Sequence, residues 1–355
     1  MPFDDLLPVD SRQAQHRRAV ANWLFAMCAM ILVMVALGGA TRLTGSGLSI
    51  MEWAPLRGML PPLSEAEWER LYALYRQVPQ YALVNKGFGI EGFKGIFWLE
   101  WLHRFWGRLI GLAFVVPLAI LWWRGAVPRA LLPRLIGLLL LGGMQGAVGW
   151  FMVASGFVAD ATSVSPYRLV LHLGLALVLY AAILWTALGL RHTVPVIGGP
   201  RRLVQATAVF AALSMLAGGF VAGLKAGLDY NSFPLMAGRL VPEGYGRLEP
   251  FLLNFVENIA AVQFNHRLLA TLTLVLAGAS LIAGWRSAAR PALLGLAGAV
   301  GVQYALGVAT LLYVVPVGLG TLHQAVAVLV LTTALVALHR LRARPSVFLM
   351  ERTGP

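Results

Sequence analysis

The chain has 355 residues, of which 59% are hydrophobic and only 12% charged. Soluble domains carry about 25% charged residues, so this composition, with a mean hydropathy of +0.74, excludes an ordinary soluble protein and puts most of the chain in lipid. The net charge of +13 gathers in short flanks of apolar runs, which is a topology signal and not a nucleic-acid surface.

In chain order, Arg12, Arg17 and Arg18 precede an apolar run from Trp23 to Ala40. That run is longer than a signal-peptide core and ends without a clear cleavage site, so it reads as a retained first helix. It holds the one cysteine, Cys28, a small core residue that has no partner for an internal disulfide. Eight membrane spans are predicted, near 22–41, 104–123, 134–154, 168–189, 203–224, 264–284, 291–313 and 320–340. With eight spans, the basic flanks all fall on one side: Arg124, Arg129 and Arg134; Arg191, Arg201 and Arg202; Arg286 and Arg290; Arg340, Arg342 and Arg344. The positive-inside rule makes that side the cytoplasm and puts both termini there, as in a multi-pass protein of the bacterial inner membrane.

Two long loops, about 42–103 and 225–263, lie on the outer side and hold most of the acidic residues. In the first, Ser64 and Glu67 form a capping-box pattern, and Leu63 with Trp68 suits a hydrophobic staple. Trp68, Leu71, Leu74, Tyr75 and Val78 follow at helical spacing. A short amphipathic helix is expected there, lying on the membrane surface or packed on the roof of the bundle.

The two halves resemble each other. Gly38-Gly39 recurs as Gly218-Gly219, and Gly47-Leu48 as Gly227-Leu228. Further along, His103-Arg104 pairs with His266-Arg267, the stretch Gln145 to Gly149 with Gln303 to Gly307, and Leu171-His172 with Leu322-His323. The ordered series points to duplication of a four-helix unit. The expected fold is therefore an all-α polytopic membrane protein of two tandem four-helix bundles, residues 1–190 and 191–355, related by a parallel pseudo-two-fold axis.

Of seven histidines, His16, His192 and His339 sit in basic flanks and read as solvated. His103, His172, His266 and His323 each stand at the start of an even-numbered span, near the outer face, two per half. Ionisable groups inside a membrane are costly and mark function. Two neutral imidazoles from facing helices suit a haem iron with axial ligands on both sides. Zinc fits less well, because no third nitrogen, thiolate or repeated carboxylate accompanies each pair. Both pairs lie at one face, which favours local redox chemistry over a wire across the membrane. The halves differ in one respect: Glu100 precedes His103 by three residues, where Gln263 precedes His266. That asymmetry suggests one catalytic and one accessory site, although Glu100 could equally be a surface carboxylate paired with Arg104 or Lys94.

These residues resemble the haem A synthase family in its mitochondrial and alphaproteobacterial branch. The resemblance rests on the stretch Gly38 to Ser49, on Phe93 to Arg108, and on Asn265-His266-Arg267 and Leu322-His323-Gln324. It implies oxidation of the C8 methyl of haem O to a formyl group by successive hydroxylations. It also implies that His103 and His172 flank the substrate haem iron, that His266 and His323 ligate a haem b cofactor, and that Glu100 is essential to activity. Candidate propionate contacts are Arg104, Arg108 and Arg267, with Arg42 and Lys225 nearby. Expected partners are haem O, an electron donor, haem O synthase, terminal-oxidase assembly factors, membrane lipid and a second copy of the chain, with no nucleic acid. Two rival readings share some of these features: a dihaem cytochrome that only transfers electrons, and a transporter built on a repeated unit. Few charged residues lie deep in the spans, which counts against the transporter.

Overall fold

The computed structural model describes residues 9–54, 57–191 and 194–342. Lipid offers backbone groups no hydrogen bonds, so spanning segments must satisfy their own, and helices do this. Among the described residues the regular structure is all helical, and eight helices are long and apolar enough to cross a membrane. The chain is thus a multi-pass membrane protein. These helices are α1 (Val9–Leu43), α4 (Ile90–Trp123), α5 (Leu132–Ala154), α6 (Pro166–Gly189), α7 (Arg201–Gly223), α8 (Ile259–Ala283), α9 (Arg290–Leu312) and α10 (Val317–Arg340). Two short helices, α2 (Glu65–Tyr75) and α3 (Pro79–Leu83), belong to the first outer loop.

The second span departs most from its expected bounds. It begins at Ile90 rather than near 104 and runs for 34 residues, about 51 Å at 1.5 Å per residue. A hydrocarbon core is about 30 Å thick, so the first turns of α4 stand above it. They give α2 a wall to pack on. Trp68 of α2 meets Phe97 edge-on at 4.9 Å, and Tyr75 stacks on Phe93 at 5.4 Å. The loop helix is thus packed on the roof of the bundle. Ser64 caps it by accepting from Glu67 N–H at 3.3 Å. The other half of the expected capping box is absent, because the Glu67 carboxylate pairs with Arg70. The staple is absent too, since Leu63 is 81% exposed.

The helix pairs that pack together repeat between the halves. α1 packs on α4 as α7 packs on α8, α4 on α5 as α8 on α9, α5 on α6 as α9 on α10, and α1 on α6 as α7 on α10. Between the halves, α1 meets α10 as α7 meets α6, and α6 meets α10. Small residues permit these approaches, as expected where helices meet in lipid. A Cβ on Gly39 of α1 would lie 1.9 Å from the Gln324 side chain of α10. Its counterpart Gly219 of α7 faces Leu173 and Val170 of α6, and Gly223 one turn later abuts Pro166. After α1 and α7 the chain turns through the left-handed region at equivalent places, Gly45 (φ +69°) and Lys225 (φ +55°). Glycine adopts that conformation without a Cβ clash.

At the opposite end, Arg191 after α6 hydrogen-bonds Asn22 of α1, and Val196 N–H donates to Arg340 O of α10 at 2.8 Å. His339 is not the solvated residue its position suggested. It is 2% exposed, edge-on to Trp185 at 5.3 Å and bonded to Arg342 at 2.9 Å. His192 and Arg344 lie outside the described residues.

Candidate functional site

The four outer histidines share one local arrangement. Each lies on the second or fourth long helix of its half, half-buried, with its ring packed over a glycine of the preceding long helix. His103 of α4 lies on Gly38 of α1, His172 of α6 on Gly149 of α5, His266 of α8 on Gly218 of α7, and His323 of α10 on Gly307 of α9. An added Cβ would stand 3.0, 2.9, 3.0 and 2.9 Å from the respective ring Cε1. Any side chain at these positions would force the ring to shift. The sequence had marked these glycines as repeat positions, with no sign that they seat the imidazoles.

The residue one turn before the glycine reaches the ring in three cases. His266 Nδ1 lies 2.9 Å from the backbone oxygen of Ser214. A carbonyl can only accept, so Nδ1 carries the proton and Nε2 keeps its lone pair for a metal. Gln145 Nε2 lies 3.1 Å from His172 Nδ1, and Gln303 Nε2 lies 3.3 Å from His323 Nε2. Nδ1 of His103 and of His323 are enclosed with no hydrogen-bond partner among the described residues. The rings of His266 and His323 are 6.5 Å apart between centroids, with planes at 84°. A metal–imidazole bond is about 2 Å, so two such bonds plus the inner halves of two rings span roughly 6 Å. The centroid separation therefore matches what one iron held between the two imidazoles would need. Among the described residues no three His, Cys, Asp or Glu side chains gather where an ion could sit. Two imidazoles, one of them with a bare Nε2, are a donor set that an iron held between them would fit.

Glu100 is neither exposed nor paired with Lys94, which instead bonds Glu91 at 2.7 Å. It is 2% exposed. Its Oε2 accepts from Ser49 N–H at 2.7 Å, Ser49 Oγ–H at 2.7 Å and Ile50 N–H at 3.0 Å. Its Oε1 accepts from Arg104 Nε at 3.0 Å and Nη2 at 2.6 Å. Gln263 holds the equivalent place in the other half. It donates to Ala226 O at 2.8 Å and Asp229 O at 2.7 Å, and accepts from Arg267 at 2.9 Å. The arginines assigned to propionates are engaged with the outer loops: Arg104 with Ile50 O and Glu52 O, Arg108 with Ala54 O, and Arg267 with Tyr230 O and Ser232 O. Arg42 is half-buried at the end of α1, and Lys225 is exposed. Ser214 and the loop carbonyls went unnoticed in the sequence, because neither residue type nor spacing distinguishes them, and Ser49 stood out only as the end of the stretch that carries the resemblance.

A family model described as cytochrome oxidase assembly protein matches residues 21–335. The chain is 60% identical to the haem A synthase of Granulibacter bethesdensis, covering 93% of this chain and 89% of that one. It is 47% identical to that of Parvibaculum lavamentivorans, covering 94% and 97%, and 48% identical to that of Rhodospirillum centenum, covering 93% and 90%. At such identity over nearly its whole length, this chain belongs to the cytochrome oxidase assembly protein family that includes these haem A synthases.

Proposed function

We propose that this protein oxidises the C8 methyl group of haem O to a formyl group by successive hydroxylations, making haem A for a terminal oxidase. The observation that carries the reading is the set of four glycine-seated histidines, two per half, on a chain so similar to haem A synthases. His103 and His172 would flank the iron of the substrate haem O. His266 and His323 would ligate a haem b cofactor, a role supported by their separation and by the bare Nε2 of His266. Bound there, haem b would supply one-electron transfer.

The chain's own residues then orient and enclose. Ser214 O fixes the tautomer and ring direction of His266. Gln145 and Gln303 point amide N–H groups at the fourth-helix histidine of each half, contacts that would have to give way where the ring held iron. The substrate is lipid-soluble, so it would enter sideways between helices. Arg104, Arg108 and Arg267 already hold loop carbonyls, so Arg42 and Lys225 would be the cations to take a propionate. The repeated packing pairs support two tandem four-helix halves, 1–190 and 191–355, related by a pseudo-two-fold axis. The basic flanks support an inner-membrane location with both termini in the cytoplasm. Haem O synthase, oxidase assembly factors, an electron donor and a second copy of the chain are the partners this reading calls for.

Haem extraction and chromatography from the purified protein test the proposal. Haem b together with haem O or haem A is expected. Haem b alone would favour an electron-transfer cytochrome, and a protein without haem would refute the reading.

A further inference from the structure

The first outer loop does not cross the bundle freely; it is strapped along one face of α4. Residues 50–54 carry no regular structure, and alternate carbonyls reach the helix: Ile50 O and Glu52 O bond Arg104, and Ala54 O bonds Arg108. Glu100, Arg104 and Arg108 are four residues apart, about one turn each on α4, and they meet the strap in chain order. Glu100 is the first anchor, taking the Ser49 and Ile50 donors on one oxygen and Arg104 on the other.

The strap also reaches the helix that seats the second histidine of this half. Trp53, at its middle, packs edge-on against Trp150 of α5 at 5.1 Å. The Arg104 guanidinium lies 5.7 Å from the same ring. Trp150 directly follows Gly149, on which His172 rests, and Arg104 directly follows His103. One network thus fastens the loop to the backbone beside both histidines of the N-terminal half.

The C-terminal half repeats the strap with opposite polarity. Arg267 holds Tyr230 O and Ser232 O, each 180 positions after its counterpart, and Phe233 packs on Tyr304 of α9 at 6.2 Å. There the loop offers carbonyls to position 263, and the residue is an amide that can donate to them. In the first half the loop offers N–H and O–H donors to position 100, and the residue is a carboxylate with two acceptor oxygens. The difference between Glu100 and Gln263 follows the polarity of the loop each one anchors.

We propose that Glu100 is a positioning residue: through Ser49, Ile50 and Arg104 it fastens the outer strap and so sets the geometry of the His103–His172 pair. This rests on the reading of that pair as the substrate-haem site. Its consequence is that Glu100 need not exchange a proton with substrate to be essential.

The test uses full-length, haem-loaded protein in nanodiscs, with hydrogen exchange over residues 44–54 and 226–234, the low-spin haem resonance spectrum, and haem O turnover. In Glu100→Gln, one amide oxygen replaces two acceptors, so exchange in 44–54 should rise at least tenfold. The spectrum of the His103–His172 haem should shift, that of the His266–His323 haem should not, and turnover should fall. Ser49→Ala, which removes one bond and is the milder change, should do the same in smaller measure. Gln263→Glu should open 226–234 instead, by setting a carboxylate against carbonyl oxygens. Lost turnover in Glu100→Gln with exchange and spectrum unchanged would overturn the proposal in favour of direct action on substrate. An opened strap with normal turnover would overturn it as well. A wild-type protein without haem would defeat the functional reading, while the exchange data would still decide whether Glu100 anchors the strap.

Discussion

Gly218→Ala tests the seat of His266 directly. The new methyl would lie 3.0 Å from ring Cε1 and 3.4 Å from Nδ1. Carbon atoms pack best at about 3.5–4.0 Å, so the imidazole must withdraw by about half an ångström or more. That retreat strains the 2.9 Å bond to Ser214 O and moves Nε2 off its line to the iron. Overpacking of this kind costs about 1–3 kcal/mol, against a helix-propensity gain from Gly→Ala of up to about 1 kcal/mol. If the cost falls on the ligated state, it weakens haem binding by roughly five- to a hundredfold at 1.4 kcal/mol per decade. The assay is haem b content per chain after purification, together with the low-spin absorption spectrum. Gly298→Ala, in a helix where no atom lies within 4 Å of the added carbon, serves as the control and should leave both unchanged. Full haem content with a wild-type spectrum in Gly218→Ala would refute the idea that the glycine sets the ring's place.

His323→Ala should remove haem b and leave haem O bound, because the two pairs use separate helices; haem extraction measures it, and joint loss of both haems would contradict the assignment. Gly223→Ala puts a carbon 2.7 Å from Pro166 Cβ and 2.9 Å from its Cα. Backbone cannot retreat as a side-chain tip can, so thermal stability should fall by about 1–3 kcal/mol, whereas Gly278→Ala, with nothing near, should not destabilise. On the outer surface, hydrogen bonds from Arg70 hold the Glu52 carboxyl below its ordinary value. A depressed folded-state value means this contribution is present above the ordinary carboxylate range and lost as pH falls through and below it. Both side chains are over 40% exposed, so Arg70→Ala should change stability by no more than about 1 kcal/mol near neutrality, and by less still in acid, as read from denaturation at two pH values.

Much of the architecture was legible in the chain because lipid makes it so. An apolar run in a membrane has to become a helix; hence eight spans, of which all but the second begin and end close to their expected bounds, apart from an early start to the first. Trp68, Leu71 and Tyr75 revealed the loop helix by periodicity, but whether it lay on lipid or protein depended on α4 extending to Ile90, which a polar, glycine-containing stretch conceals. His339 looked like a flank residue because sequence gives its neighbours along the chain, while Trp185 approaches from another helix. The repeat marked the histidines and glycines separately; only packing brought Gly38 against His103 and Gly218 against His266. The Glu100/Gln263 difference was visible as letters, and its cause was not. Whether a side chain should accept or donate depends on which backbone groups a distant loop turns towards it, and that is fixed by tertiary structure.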